Sequence, residues 1–133
     1  MSSAPDSHLR ELYRRGVQLL LEGQARDAAG ALREPADAGS PEAALALAKA
    51  LLELGEGAAA YDRLGPLLAT PPADPGLHAY LQLLTARALS TAGRPDEAIR
   101  LLEEAPRSDP RMEPVARDMR RRVERGRSVI LKF

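Results

Sequence analysis

The stretch Leu89 to Ala105, LSTAGRPDEAIRLLEEA, constrains this chain most, because it reads as a helix end, a tight turn and a new amphipathic helix. Gly93 can take the left-handed backbone conformation that closes a helix, and Pro95 pre-sets the first turn of the next one. Asp96 and Glu97 then place negative charge at that helix's positive N-terminus. Ala98, Ile99, Leu102 and Ala105 recur at helical spacing and form one apolar stripe. The small Ala98 lets the new helix approach the preceding one closely. The stretch therefore predicts an αα-hairpin.

The rest of the chain agrees with a helical class. Of its 133 residues 44% are hydrophobic, enough for a sizeable core in a single domain spanning 1–133. Alanine and leucine supply most of them, aromatics are only 3%, and β-branched residues are sparse, so helix is favoured over sheet before any pattern is read. No cysteine is present, which excludes a disulfide framework and a thiolate metal site, and His8 and His78 are too far apart in sequence to read as a ligand pair. Each histidine reads as a solvated residue near a helix start. No cofactor and no metal are expected. The N-terminus lacks a basic segment followed by a long apolar run, and the expectation is a soluble cytoplasmic protein with no membrane association.

Residues 1–6 form a polar leader, and Asp6 or Ser7 is placed to cap a helix running to about Leu21. Gly23 ends that helix, and a second follows over 24–34 until Pro35, which is expected to stop it. Ser40 with Pro41 opens a third helix to Leu54, closed by Gly55. A fourth covers 58–68, with a kinked or unravelled last turn at Gly65 and Pro66. After the loop TPPADPG, Asp74 and Pro75 open a long helix to Ala92. Asp109 and Pro110 open a last helix over 110–125, whose stripe is Met112, Val115, Ala116, Met119 and Val123. A single narrow apolar face marks a capping helix, and residues 126–133 are left as an apolar tail.

Aligning the helix pairs on Gly23, Gly55 and Gly93 exposes a repeat. Five residues after each glycine stands a small residue, Ala28, Ala60 or Ala98, and nine after stands Leu32, Leu64 or Leu102. Four before stands Leu19, Leu51 or Leu89, and seven before stands Gly16, Ala48 or Ala86. The glycine spacings of 32 and 38 bracket the roughly 34-residue period of tetratricopeptide helix pairs, the longer one containing the TPPADPG insertion.

On these residues the chain resembles the tetratricopeptide repeat family, whose helix pairs carry a small residue at the close contact in the first helix, a glycine near the turn, an alanine opening the second helix and a proline after it. The resemblance covers three repeats, about 9–42, 41–74 and 79–112, and implies an all-α solenoid of three helical hairpins closed by the capping helix. Gln82 and Thr85 depart from it, standing where the family usually has large apolar residues, and Pro35 and Pro66 depart from it in the second helices.

Catalytic patterns are missing: there is no glycine-rich phosphate loop, no G-x-S-x-G elbow, no H-E-x-x-H and no cysteine nucleophile. Asp96 with Glu97, and Glu103 with Glu104, are neighbours on exposed helix surface, where adjacent residues do not face one another for paired acid and base work. No enzymatic activity is expected.

What the resemblance implies instead is a protein-binding adaptor whose concave groove, lined mainly by the first helices, holds an apolar or amphipathic peptide segment. Carried over position by position, the groove comprises Arg10, Tyr13, Val17, Leu20 and Leu21; Glu42, Leu45, Lys49, Leu52 and Glu53; Tyr80, Leu83, Arg87, Ser90 and Thr91. Leucines at helical spacing serve equally as core, so Leu20, Leu21 and Leu52 have both readings open. Relatives that hold a C-terminal carboxylate use asparagine among their groove residues, and this chain has none. Small secretion chaperones of the type III translocator kind are similar stand-alone three-repeat domains and supply an alternative.

A third reading rests on charge. Residues 1–106 carry 10 basic and 15 acidic side chains, a net of −5, whereas 107–133 carry 9 basic and 4 acidic, a net of +5. Arg117, Arg120, Arg121, Arg122, Arg125 and Arg127 are thus a candidate patch for a nucleic-acid-binding regulator. Nucleic acid is disfavoured as partner, because no aromatic platform accompanies these arginines. The tail residues Val129, Ile130, Leu131 and Phe133 are the remaining apolar feature. Packing in cis gives a monomer, which is favoured because it costs no association entropy, and docking on a neighbouring molecule gives a homodimer.

Overall fold

The computed structural model describes residues 4–131, with side chains from residue 6 to residue 126. Among these residues the chain is all-helical, with no strand: α1 (Ala4–Leu21), α2 (Ala25–Asp37), α3 (Pro41–Glu53), α4 (Gly57–Ala69), α5 (Pro75–Thr91), α6 (Pro95–Ser108), a 3-10 turn (Pro110–Met112) and α7 (Glu113–Leu131). Each helix packs on the next in sequence, and in addition α1 touches α3 and α3 touches α5. The first helices of consecutive pairs therefore lie side by side.

The turns within the pairs are made by backbone alone. Gly23, Gly55 and Gly93 have φ of 78°, 76° and 81°, a region where a side chain is strained. The residue after each glycine donates its N–H five residues back, Gln24 to Leu19 at 2.9 Å, Glu56 to Leu51 at 2.9 Å and Arg94 to Leu89 at 2.8 Å. Each glycine's own N–H reaches three residues back, to Leu20, Leu52 or Ser90. This paired closure satisfies helix-end carbonyls, and none of the following helices needs a side-chain cap.

The connections between pairs use different chemistry. Ser40 Oγ accepts the Ala43 N–H at 3.1 Å, Asp74 Oδ2 accepts that of Leu77 at 2.8 Å, and Asp109 Oδ1 accepts that of Arg111 at 3.1 Å. A proline follows each cap at the first helical position, where its missing N–H costs nothing. These caps stand 34 and 35 residues apart, a tighter period than that of the turn glycines.

Several expected boundaries are corrected. α1 begins at Ala4, so Asp6 and Ser7 lie within its first turn rather than capping it. Pro35 does not stop its helix, which runs on to Asp37, the last turn of α4 around Pro66 stays helical to Ala69 rather than unravelling, and Pro106 likewise lies within α6. Each proline stands in the last turn, where it forfeits a single backbone bond and the residues beyond it have little helix left to distort. α7 does not end near Arg125 but continues as backbone helix to Leu131, after a 3-10 turn in place of its expected first turn. The expected packing of the tail, with the side chains of Arg127, Val129, Ile130, Leu131 and Phe133, lies outside the described residues.

Two hydrophobic clusters hold the helices together, and α5 belongs to both. Leu32, Leu47, Leu51 and Leu64 anchor the first, which Leu81, Leu84 and Ala88 of α5 join. Ala79, Leu83, Ala86 and Leu89 of the same helix build the second with Ala98, Leu102, Ala105 and Ala116. Burial all round α5 brings two polar residues inside. Gln82 Oε1 accepts a hydrogen bond from Ser108 Oγ at 2.8 Å, and Thr85 Oγ1 donates to the Leu81 carbonyl at 2.7 Å. Neither polar side chain is therefore left unpaired. Met112 of the 3-10 turn and Ala116, Met119 and Val123 of α7 pack in the second cluster as the stripe predicts, whereas Val115 is 48% exposed.

Helix approach is set by glycine at two places. A Cβ at Gly16 would run into the Leu32 side chain, so α1 and α2 meet there at closest range. A Cβ at Gly57 would lie 2.6 Å from the Ala88 carbonyl oxygen and 2.7 Å from the Ala92 nitrogen, which brings the start of α4 onto the end of α5.

Candidate functional site

The side-by-side arrangement of α1, α3 and α5 brings the sequence-derived groove residues toward one another. Tyr13, Val17, Leu20, Leu45 and Tyr80 are half-buried and rest on the first core cluster. Arg10, Glu42, Glu53, Arg87 and Thr91 are exposed, Ser90 is half-buried, and Leu21 is 79% exposed. Leu52 and Leu83 are only 5% and 7% exposed and sit inside the two clusters, beneath that surface rather than on it. Lys49 on α3 reaches Tyr80 on α5, its Nζ lying 5.3 Å from the ring centroid. That contact links two repeats through two of the expected groove residues.

Three clefts run along this side and share walls. The first lies on α1, between Tyr13, Val17 and Gln18 with Arg10 and Arg14. In the second, Leu9, Arg10 and Tyr13 of α1 face Pro35 and the connection Ala38–Gly39–Ser40, with Glu42 of α3. For the third, α3 supplies Pro41, Glu42 and Leu45, α4 and its following loop supply Leu67, Thr70 and Pro72, and α5 supplies Leu77 and Leu81. Arg10 and Tyr13 belong to the first two clefts, and Glu42 belongs to the last two.

The second and third clefts are the same feature in successive repeats. Leu9, Arg10, Tyr13 and Pro35 correspond to Pro41, Glu42, Leu45 and Leu67, each displaced by 32 residues, which is the spacing of Gly23 and Gly55. Of the expected groove residues Arg10, Tyr13, Val17, Glu42 and Leu45 line these clefts while Lys49, Tyr80 and Arg87 line none of the three, and the walls from Leu9, Pro41, Leu77, Leu81, the second-helix ends and the connecting loops were not among the expected residues. The 32-residue correspondence was the available signal, and the TPPADPG insertion the signal for the loop wall.

A further cleft lies between α4 and α6, floored by Thr85 and Leu89 of α5 and walled by Tyr61 and Leu68 on one side and Arg100, Leu101 and Glu104 on the other. At one end Arg94 stacks on Tyr61 at 4.7 Å and pairs with Glu97 through two hydrogen bonds of 2.8 and 2.6 Å. That pairing holds the Glu97 carboxyl below its ordinary range and raises the Arg94 guanidinium.

The arginines of α7 are partly engaged along their own helix. Arg122 pairs with Asp118 at 3.0 Å and Arg117 approaches Glu113 at 3.9 Å, both at the i, i+4 spacing that makes a helix self-neutralising. Arg120 is half-buried, and Arg121 and Arg125 are exposed. His8 lies on exposed surface, 2.8 Å from Glu34, whereas His78 is half-buried beside Ser108 at 3.4 Å and is not the solvated residue expected. Among the described residues no three His, Cys, Asp or Glu side chains converge as metal ligands, and no helix is long and apolar enough to cross a membrane.

Comparisons with known protein families, with curated proteins and with solved structures return no match to this chain.

Proposed function

We propose that this chain is a protein-interaction module that holds an apolar or amphipathic peptide segment of a partner protein along α1, α3 and α5. The observation that carries this reading is the joined row of clefts, in which half-buried apolar side chains stand beside a few charged ones, Arg10, Arg14 and Glu42. Half-buried tyrosine and leucine gain apolar contact on binding without first having to unpack from a core. Sparse charges beside an apolar track orient a bound segment rather than supply its affinity.

The experiment is affinity capture from the native cell with the full chain, compared with a Tyr13→Ala, Tyr80→Ala double variant whose helix content is checked by circular dichroism. Loss of captured partners is expected, and an unchanged set of partners overturns the reading. A salt titration against a generic DNA duplex separates this reading from the arginine patch. Micromolar binding that weakens steeply with salt supports the patch.

A further inference from the structure

We infer that the two equivalent clefts are paired sockets for an amphipathic helix carrying large apolar side chains at i and i+7, with a lysine or arginine between them at i+3 or i+4. This rests on the groove reading above and specifies its occupant. The clefts are one repeat apart and their first-helix walls belong to neighbouring packed helices, whose axes in such packing stand about 8–10 Å apart. Seven residues of α-helix advance about 10.5 Å, so two apolar side chains on one helix face match that separation.

The size of the smaller socket points to a side chain rather than a whole small molecule. The socket between α3 and α5 has a volume of about 190 Å³, below the roughly 300–1,000 Å³ of small-molecule pockets. The α1–α3 socket is larger, about 450 Å³, and takes the bulkier anchor beside Tyr13. Leu77, 42% exposed in the smaller socket, is an apolar side chain whose remaining surface an anchor would cover.

Backbone chemistry selects a helix over an extended strand. An extended segment brings unpaired N–H and C=O groups that the sockets have to satisfy, whereas a helix satisfies its own. The polar groups on offer are few, and one of them, Ser40 Oγ, already accepts the Ala43 N–H. Charge then fixes the residue between the anchors. Glu42 lines both sockets and is exposed, and among the described residues its carboxylate accepts a hydrogen bond from Ser40 Oγ at 3.3 Å, so it faces the middle of any helix that fills both. A cation there is complementary and an anion is repelled.

The test is fluorescence anisotropy on the full chain with a labelled, hydrocarbon-stapled 15-residue helix bearing leucine at i and i+7 and lysine at i+3. Comparison probes move the second leucine to i+5, or replace the lysine by glutamate. Saturable binding of the first probe is expected, with the i+5 probe at least about tenfold weaker because its anchors point to different faces. Glu42→Lys should weaken the lysine probe about fivefold and favour the glutamate probe by a similar factor. Leu77→Arg should weaken both by blocking the smaller socket. No saturable binding, equal affinity at both spacings, or no exchange of preference in Glu42→Lys overturns the inference. Partners lost in the Tyr13→Ala, Tyr80→Ala variant together with a silent probe overturn only this occupant, while partners kept by that variant overturn the groove itself.

Discussion

Lys49 Nζ lies 5.3 Å from the centre of the Tyr80 ring, so a cation of α3 and an aromatic of α5 meet over the surface where two helix pairs join. Lys49 is half-buried, and its charge meets the negative face of the ring. A double-mutant cycle of Lys49→Met and Tyr80→Leu by urea denaturation should give a coupling of about 0.5–1 kcal/mol. Additive effects would show that the two side chains are neighbours without interaction.

Glycine makes opposite demands at two helical positions. Gly57 starts α4, where an added Cβ meets the α5 backbone at 2.6 Å, whereas Gly30 lies exposed in α2 with nothing within 4 Å of such a Cβ. Gly57→Ala should destabilise by about 1–3 kcal/mol, because backbone cannot move aside as a flexible side chain would. Gly30→Ala should stabilise by about 0.5–1 kcal/mol by restricting the unfolded chain and raising helix propensity. Thermal unfolding of the two variants reads both signs, and the same sign in both would refute the close approach at Gly57.

The order of helices was legible because its signals are local. A glycine at positive φ and a cap followed by proline need no knowledge of distant residues, and Gly23, Gly55, Gly93, Ser40, Asp74 and Asp109 each mark a boundary where the sequence places one. Pro35 misled as a helix stop because a proline's cost depends on how much helix follows it, which tertiary packing decides. Leu52 and Leu83 show the limit for the site. They share the helical period of Tyr13 and Leu45, but helices that contact neighbours on several sides bury positions that periodicity alone would leave at a surface. Leu67, Pro72 and Leu77 come from different elements and become one wall only in three dimensions.

Asp109 predicts an acid sensitivity. Its side chain is 5% exposed, caps the 3-10 turn and holds Arg111 through bonds of 3.0 and 2.8 Å, and these donors keep its carboxyl below the ordinary range. A folded-state value lowered from the unfolded one contributes stability that is present above the unfolded value, about pH 4, and is lost as pH falls toward the folded one. Stability should therefore decline below about pH 4 more steeply in the parent than in Asp109→Asn, whose amide does not titrate. Chemical denaturation across that range checks it, and parallel curves would refute the coupling.

The hydrogen-bonded pair of buried Gln82 and half-buried Ser108 predicts non-additive substitution. Ser108 Oγ donates to Gln82 Oε1 at 2.8 Å, and no buried side-chain nitrogen or oxygen among the described residues lacks a partner. Ser108→Ala should cost about 1–3 kcal/mol, because Gln82, 5% exposed, keeps its buried carbonyl and loses its donor. Gln82→Leu alone should cost less than that, since Ser108 is half-buried and its hydroxyl can turn to His78 Nδ1, already 3.4 Å away. Combining Gln82→Leu with Ser108→Ala removes donor and acceptor together and places an apolar side chain between α5 and α6, so the double variant should be more stable than Ser108→Ala alone. Equilibrium unfolding of the three variants measures the coupling. A double variant as unstable as the sum of the single losses would mean that the hydrogen bond is incidental and that the polar atoms pack there at no cost.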